Sequence, residues 1–492
     1  MSALRILDCE IERADGERVR ADVLVDSGHI AKLSPAGELG NDATGDTTLV
    51  ADGAALLPSL HDHHIHLFAL AAWRASIDCS PAYVGTPDQL AEVLRHAPTL
   101  QTEPLRAVGY HESTAGDLDR NRLDAFAPGR AVRVQHRTGA LWILNSGALE
   151  AAGLADEAPD EGWPEGAELD ADGRSNGRFF RLDDWLAERL AHGNAERPGP
   201  DLSEVSRELA ACGVASLTDA TPRNDARTAR TFSAAWSSGA LLQRVRMMSA
   251  TAATSTLSAL IENAAGNLTW GERKLVLDER NLPPLDEVAE QIAEAHSQDR
   301  GVAIHCVTRS ELVLAAGALE QAGVRAGDRI EHASIAAPDA VEWLAQLGVR
   351  VVTQPGFIAD RGDDYLRDVD ANDRPWLYRC AGFDAAGVAL GAGTDAPYGN
   401  ANPWRAIRAA VDRKTPSGNA LGPDEAVSPE RALSLFTTAA DAPGEKPRRI
   451  AQGEVADLML LDCNWATARE HLDSSHVRAT VAAGRVIESR AI

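Results

Sequence analysis

The stretch LLPSLHDHHIHLF, near the start of the chain, places four histidines and an aspartate at the end of an apolar run. Neutral imidazole nitrogens and carboxylate oxygens are ligands of Zn²⁺. Because side chains alternate along a strand, we expect Asp62, His64 and His66 on one face and His61 and His63 on the other. The pair at positions 64 and 66 ends the run and is the better candidate for a metal site. The aspartate would support it, and the other two histidines would face a helix layer.

Four residues far downstream also end apolar, strand-like segments: Lys274 in ERKLVLDE, His305 in VAIHCVT, His332 in RIEHASI and Asp395 in GAGTDAPYG. A metal ion held among such residues would activate water as hydroxide and polarise a carbonyl oxygen. Asp395 could then take a proton from the water and deliver it to a departing nitrogen. Alternation along RIEH predicts that Arg329 and Glu331 lie on the face opposite the ligand, where they would be structural.

The elements that must position these residues repeat as strand, loop and amphipathic helix. Eight such alternations between residues 56 and 445 predict a (β/α)8 TIM-like barrel, in which catalytic residues lie at the carboxyl ends of the strands. Residues 1–55 and 446–492 read as short strands and predict a small β-sandwich domain built from both termini. Residues 70–205 form a long insertion after barrel strand 1, expected as a lobe over the barrel mouth.

Two groups of residues are candidate contacts for a small-molecule substrate. The inserted lobe has strand-like segments ending in histidine, which gives the candidates His111, His136 and Arg137. The segment TQPGFIADRGDDYL after barrel strand 7 reads as an aromatic and polar loop, which gives the candidates Gln354, Phe357, Arg361 and Tyr365.

Composition limits the partners of this 492-residue chain. A formal charge of −25 opposes binding to nucleic acid, which depends on clustered lysine and arginine. No run approaches the roughly 18 apolar residues that a membrane span needs, and the first twenty residues lack the core of a signal peptide. We therefore expect a cytoplasmic protein, with a homodimer as the default assembly. The six cysteines contain no CxxC and predict reduced thiols.

The order of His64-Ile65-His66, Lys274, His305, His332 and Asp395 along the chain resembles that of the amidohydrolase superfamily. The segments CGVASLTDAT, HRTGALWILNSGALE and GAGTDAP make it similar to the amidohydrolase 3 branch, the group of N-substituted formamide deformylase. The resemblance implies that His64, His66 and Asp395 bind a more buried metal, and that His305 and His332 bind a second. It also implies a carboxylated Lys274 bridging both, with one or two ions per chain, either Zn²⁺ or another divalent metal.

These observations predict a metal-dependent hydrolase that cleaves a non-peptide, amide-type C–N bond through a zinc-activated hydroxide. A deaminase is the first alternative. In the deaminases of this superfamily a glutamate closely follows the strand-5 histidine and the bridging lysine is absent, whereas HCVTRSEL has no acid before Glu311. A lactone or ester hydrolase would use the same site. A catalytically inactive barrel that binds a small molecule is the remaining alternative.

Overall fold

The computed structural model describes residues 3–40, 47–98, 104–154, 158–159, 161–190, 199–252, 254–264 and 266–490. The chain divides into two compact units. We call Met1–Leu67 together with Asp201–Ile492 the barrel unit, and Phe68–Pro200 the inserted unit. Among the helices of the described residues, none is long and apolar enough to cross a membrane.

Six strands precede the inserted unit: β1 (Leu4–Glu12), β2 (Arg18–Asp26), β3 (His29–Pro35), β4 (Thr47–Val50), β5 (Leu56–Pro58) and β6 (Leu60–Ile65). The next elements are α1 (Leu67–Arg74), β7 (Ile77–Asp78), α2 (Pro87–His96), β8 (Leu105–Tyr110), α3 (Glu112–Ala115), α4 (Arg120–Phe126), β9 (Val132–His136), β10 (Leu141–Leu144), α5 (Ser146–Ala151), β11 (Ala167–Leu169), β12 (Ser175–Phe180) and α6 (Asp183–Leu190).

Strands and helices then alternate: α7 (Ser203–Ala211), β13 (Val214–Asp219), α8 (Ala226–Ser238), β14 (Arg244–Ser249), α9 (Ser255–Asn263), β15 (Leu268–Val276), α10 (Leu285–Ser297), β16 (Val302–Cys306), α11 (Arg309–Ala322), β17 (Arg329–His332), α12 (Pro338–Leu347), β18 (Arg350–Thr353), α13 (Gly356–Asp368), α14 (Ala381–Ala386), β19 (Leu390–Ala392), α15 (Pro403–Asp412) and α16 (Pro429–Ser434). The described chain ends with β20 (Leu458–Leu461), α17 (Trp465–Ala468), β21 (Val477–Ala482) and β22 (Arg485–Ser489).

The central sheet of the barrel unit has eight parallel strands in the order β19-β18-β17-β16-β15-β14-β13-β6. Its strands follow one another in sequence from β13 to β19, each connected to the next through at least one helix. This is the right sequence of elements for a (β/α)8 barrel, and it confirms the predicted fold class. Local sequence sets the individual elements. For example, α11 begins with a capping box in which Thr308 and Glu311 satisfy each other's backbone amides.

The first and last barrel strands approach each other at their carboxyl ends. The backbone amide of Asp395 donates to the carbonyl of His64 at 2.7 Å, and the amide of His66 donates to the carbonyl of Ala396 at 2.9 Å. Gly393 makes this approach feasible, because a Cβ at that position would lie 2.5 Å from both the Cβ and the backbone nitrogen of His64.

Two further four-stranded sheets of the barrel unit share one hydrophobic cluster. Their strand orders are β3-β2-β1-β4 and β22-β21-β20-β5, so the second sheet combines strands from distant parts of the chain. Ile6 and Val23 of the first sheet, and Leu56, Leu460 and Val481 of the second, are buried in the common core. The inserted unit has its own six-stranded sheet, β11-β12-β10-β9-β8-β7, which carries separate hydrophobic clusters.

One local prediction was wrong. The segment after barrel strand 7, expected as a loop, forms the helix α13. Its sequence mixes glycine with charged residues and hid the helical spacing of Phe357, Arg361 and Tyr365, which lie four residues apart and share one face. Pro355 precedes the first helical residue, a place where its missing amide hydrogen has no cost.

We expect Gly393→Ala to destabilise the barrel unit by about 1–3 kcal/mol, because the added methyl group must displace the backbone of His64. Thermal unfolding of the variant would show the loss as a lower midpoint. Gly40→Ala is the matched control, since an added Cβ there has nothing within 4 Å. Equal midpoints for the two variants would contradict the close approach of the first and last strands.

Candidate metal centre

Ligand atoms of His64, His66 and Asp395 converge at the carboxyl end of the barrel, all within 4.8 Å of one another. Asp395 Oδ1 lies 3.6 Å from His64 Nε2 and 3.3 Å from His66 Nε2. Two ligands bound to one tetrahedral ion at typical zinc distances are separated by about 3.4 Å. The spacing therefore fits a single divalent metal ion.

His332 extends this group towards His305. Its ring centroid lies 4.7 Å from that of His64 and 4.5 Å from that of His305. Its Nδ1 is 3.9 Å from Asp395 Oδ2. The backbone of His332 has a left-handed φ of 69°, and that of Asp395 has 53°, a conformation that non-glycine residues seldom adopt. At both predicted ligands the backbone therefore departs from the extended conformation of a strand.

Three of the imidazole rings use Nδ1 for a contact within the protein. The partners are Glu331 Oε2 for His64, Thr221 Oγ1 at 3.0 Å for His66, and Gln354 Oε1 at 2.7 Å for His332. Each partner can accept a hydrogen from Nδ1, and the neutral ring then carries its lone pair on Nε2. This is the arrangement by which hydrogen-bonding partners prepare histidines to bind a metal. Gln354, predicted as a substrate contact, therefore holds a histidine ring.

Of the buried side-chain polar atoms without a hydrogen-bond partner among the described residues, three belong to predicted ligands: Lys274 Nζ, His332 Nε2 and Asp395 Oδ1. Leaving such atoms unsatisfied in the interior is costly. Divalent cations bound at this centre would satisfy the histidine nitrogen and the carboxylate oxygen. The residues present therefore fit a divalent metal.

Burial and neighbouring charges separate the protonation states at this centre. Burial lowers the pKa of His64 well below its ordinary value, and the charge of Lys274 adds to the effect. Burial opposes ionisation of Asp395, but His64, His66 and His332 outweigh it and hold the pKa of the carboxyl below its ordinary range. Burial also lowers the pKa of Lys274. Neutral histidines beside an ionised carboxylate are the donor set that a divalent cation requires.

The prediction that Arg329 and Glu331 face away from the ligands was wrong. Glu331 is fully buried, and its Oε2 meets His64 Nδ1 while its Oε1 accepts from Arg329 Nε. Arg329 also donates to the backbone carbonyl of His63 at 2.8 Å. The left-handed φ of His332 breaks the alternation on which the prediction depended. Glu331 and His332 consequently serve the same centre, which the sequence pattern alone gave no signal to suggest.

The orientation predicted for His61 and His63 was also wrong. The ring of His61 bonds Ser216 Oγ at 2.7 Å and Thr218 Oγ1 at 2.9 Å, both on the neighbouring barrel strand. The ring of His63 bonds Thr438 and lies in the field of charged barrel residues rather than against a helix layer. Asp62 pairs with Leu217 and Ile65 pairs with Asp219, so β6 advances by three residues where β13 advances by two. This is a β-bulge, and it interrupts the alternation of side chains along β6.

Asp62 supports the backbone at this bulge. Its carboxylate accepts from the amide of His64 at 3.1 Å and from the amide of Thr394 at 2.9 Å. These bonds join the end of the first barrel strand to the loop before Asp395. Asp62 therefore holds two ligand-bearing segments together, as the sequence suggested for a supporting residue.

The remaining candidates lie in two places. On α13, the Arg361 guanidinium lies 4.8 Å from the ring centroid of Phe357, which is buried, and donates to the carbonyl of Tyr398. The ring of Tyr398 is 5.5 Å from that of His66, and the hydroxyl of Tyr365 is 3.2 Å from that of Tyr378.

His111, His136 and Arg137 lie in the inserted unit, at the ends of β8 and β9. The two imidazole rings lie near Glu112 and near each other, with ring centroids 5.8 Å apart. The backbone amide of Arg137 donates to the carbonyl of Tyr110 at 2.8 Å. Their role as substrate contacts stays a prediction.

We expect Glu331→Gln to weaken metal binding by about 10–100-fold, because the amide no longer fixes His64 as a carboxylate does. Metal affinity can be measured by competition with a chelator. Glu272→Gln is the matched control, since Glu272 is equally buried and pairs with Arg246 at 3.0 Å. Both variants leave an arginine without its ionised partner, so both should lose stability. Equal losses of metal affinity would refute the proposed role of Glu331.

Comparison with known proteins places this geometry in a family. The sequence profile of the Amidohydrolase family matches residues 49–488. The chain is 25% identical to the N-substituted formamide deformylase of Arthrobacter pascens over 94% of each chain. Crystal structures of uncharacterized metal-dependent hydrolases from Pyrococcus horikoshii OT3 and Pyrococcus furiosus share the fold, with TM-scores of 0.72 and 0.69 at 20% identity, covering 94% of this chain and 97% and 99% of theirs. The chain therefore belongs to the amidohydrolase family of hydrolases.

Proposed function

We propose that the chain is a zinc-dependent hydrolase that cleaves an amide-type C–N bond other than a peptide bond. The observation that carries this proposal is the convergence of His64, His66 and Asp395, with His332 beside them. Nδ1 of each histidine contacts a protein oxygen, which leaves Nε2 for a metal. Imidazole nitrogens with a carboxylate are typical of catalytic zinc. The similarity to a formamide deformylase supports a formyl or other small acyl amide as the substrate class.

A divalent metal at this centre would supply Lewis acidity, which acidifies water and polarises a carbonyl oxygen. The protein residues supply the remaining functions. Asp395 stays ionised because of the surrounding histidines, and so it can accept a proton at a carboxylate oxygen. Returning that proton to the leaving nitrogen would complete the cleavage of the C–N bond. Asp62 and Glu331 would keep the ligands in place during these transfers.

We propose that Lys274 takes part as a carbamate that bridges two zinc ions. Its Nζ is buried, lacks a hydrogen-bond partner, and comes from β15, adjacent to the strand that carries His305. A free ammonium group cannot ligate a metal, whereas a carboxylated amine presents two oxygens. His305 and His332, whose ring centroids are 4.5 Å apart, would be the protein ligands of the second ion.

The face of α13 formed by Phe357, Arg361 and Tyr365 is the proposed surface for substrate specificity. Arg361 holds the carbonyl of Tyr398, whose ring packs edge-on against His66. This contact path connects the helix to a proposed ligand, so changes on this face can alter how a substrate is presented without removing the metal.

Removal of metal tests the reaction directly. We expect chelation to abolish hydrolysis of N-formyl and short N-acyl amines, and Zn²⁺ to restore it. Esters and lactones of matched acyl groups, and ring amines, should be turned over at lower kcat/KM, measured on the same preparation. A higher kcat/KM for the esters would favour an ester hydrolase, and release of ammonia from ring amines would favour a deaminase. If zinc-loaded protein hydrolyses none of these substrates, the result would favour a catalytically inactive barrel that only binds a small molecule.

Metal analysis tests the bridging lysine. We expect the barrel centre to bind two zinc ions in the wild-type protein and fewer in Lys274→Ala, because the bridge holds both. A ¹³C carbamate signal should appear after incubation with labelled bicarbonate and be absent in the variant. A single zinc at the barrel centre, unchanged by Lys274→Ala, would rule out the bridge. Zinc bound elsewhere in the chain is measured in a His64→Ala/His66→Ala protein and subtracted from this count.

A further inference from the structure

A second group of metal-ligating side chains lies within the inserted unit, away in sequence from the predicted ligands. His111, Glu112 and His136 have ligand atoms within 4.8 Å of one another. The first two follow β8, and the third ends β9. These strands are parallel neighbours, with Tyr110 opposite His136, so their carboxyl ends meet at one edge of the sheet.

The spacing within this group matches that of the barrel centre. Glu112 Oε2 lies 3.1 Å from His136 Nε2 and 3.7 Å from His111 Nε2. The corresponding carboxylate-to-histidine distances in the barrel are 3.3 and 3.6 Å. Both pairs of values lie on either side of the separation of about 3.4 Å expected for two ligands of one tetrahedral ion.

The two histidines also share a local device that orients their rings. The Nδ1 of His111 lies 2.8 Å from Ser113 Oγ, and the Nδ1 of His136 lies 2.8 Å from Thr138 Oγ1. In each case the hydroxyl belongs to the residue two positions later. When Nδ1 carries the hydrogen, it donates to the hydroxyl oxygen, and the unprotonated Nε2 faces the carboxylate.

A second tautomer is compatible with the same positions. The backbone amides of Ser113 and Thr138 approach Nδ1 at 3.2 Å, so Nδ1 can instead accept a hydrogen bond. Nε2 would then donate to Glu112, and the cluster would be a hydrogen-bonded group without a metal. The hydroxyl contacts are 0.4 Å shorter than these amide contacts, but a hydroxyl can donate as well as accept, so the positions fit both tautomers and zinc binding decides between them.

We propose that His111, Glu112 and His136 form a metal site of the 2-His-1-carboxylate type for a divalent transition metal, with Zn²⁺ as the first candidate. Three protein ligands leave coordination positions for water or an anionic group. The histidine side chains are 14% and 12% exposed and the carboxylate is 38% exposed, so the site is shielded but reachable by an ion. The sequence had suggested that the two histidines contact substrate; in this proposal they bind a metal instead.

Such an ion would join the ends of two neighbouring strands and the start of α3. Metal binding that requires the folded arrangement adds to the stability of that arrangement. The site does not depend on the proposed hydrolytic reaction, because all of its ligands come from the inserted unit. Its loading should therefore persist when the barrel ligands are removed.

Zinc counting on the full-length protein tests the proposal. The protein would be stripped with a chelator, dialysed against buffered free Zn²⁺, and analysed for zinc per chain by mass spectrometry. We expect Glu112→Gln and His136→Asn each to bind one equivalent less than wild type. A His64→Ala/His66→Ala protein should keep this equivalent while losing zinc at the barrel.

Glu92→Gln is the matched control. Glu92 lies beside His96 at 3.2 Å in the same unit, so it supplies a single Glu–His pair. We expect this variant to bind as much zinc as wild type. Circular dichroism would establish that the variants are folded, and the isosteric Glu112→Gln decides the matter if His136→Asn is not.

Equal zinc content in wild type and Glu112→Gln at every free zinc concentration would overturn the proposal, and the cluster would then be the hydrogen-bonded group. A wild-type protein that binds zinc in the inserted unit but none at the barrel centre would instead count against the proposed function alone. The two proposals can thus fail separately.

Discussion

The candidate centre depends on one buried contact, between Nδ1 of His64 and the carboxylate of Glu331. The contact joins the first and sixth barrel strands, and it fixes both the tautomer and the orientation of a ring that otherwise sits on a bulged strand. Burial opposes the charge of Glu331, but the neighbouring cations, Arg329 first, outweigh it and hold the pKa of this carboxyl below its ordinary value. The negative charge that orients the histidine is therefore maintained in the interior.

Burial has opposite consequences for the different groups at the barrel mouth. It favours neutral histidines, which are the form that binds metal, and it disfavours the protonated form of Lys274. Asp395 resists the same effect because three imidazoles surround its carboxylate. One environment thus prepares nitrogen ligands, an anionic oxygen ligand and an amine that is easier to deprotonate.

The sequence predicted the fold well because strand-like segments alternate with amphipathic helices along the chain and because functional residues lie at strand ends. The structure brings His64, His66 and Asp395 together as that rule requires. Alternation failed where the backbone is irregular, at the bulge after Asp62 and at the left-handed His332. These features arise from pairing between distant strands and from tertiary contacts, and no local pattern of residue types announces them. Glu331 was missed for this reason.

The barrel interior holds two arginine–carboxylate pairs, Arg329 with Glu331 and Arg246 with Glu272. Buried ion pairs contribute little net stability compared with well-packed apolar residues, because both charges must leave water. Their presence in a core that is usually filled by branched apolar side chains calls for another explanation. In the first pair, the carboxylate of Glu331 orients His64. Arg329 keeps that carboxylate charged and also donates to the backbone carbonyl of His63. Among the described residues, no side-chain hydrogen bond joins the second pair to a predicted ligand. Comparing variants of Glu331 and Glu272 therefore separates the orienting role of a buried charge from the cost of burying it.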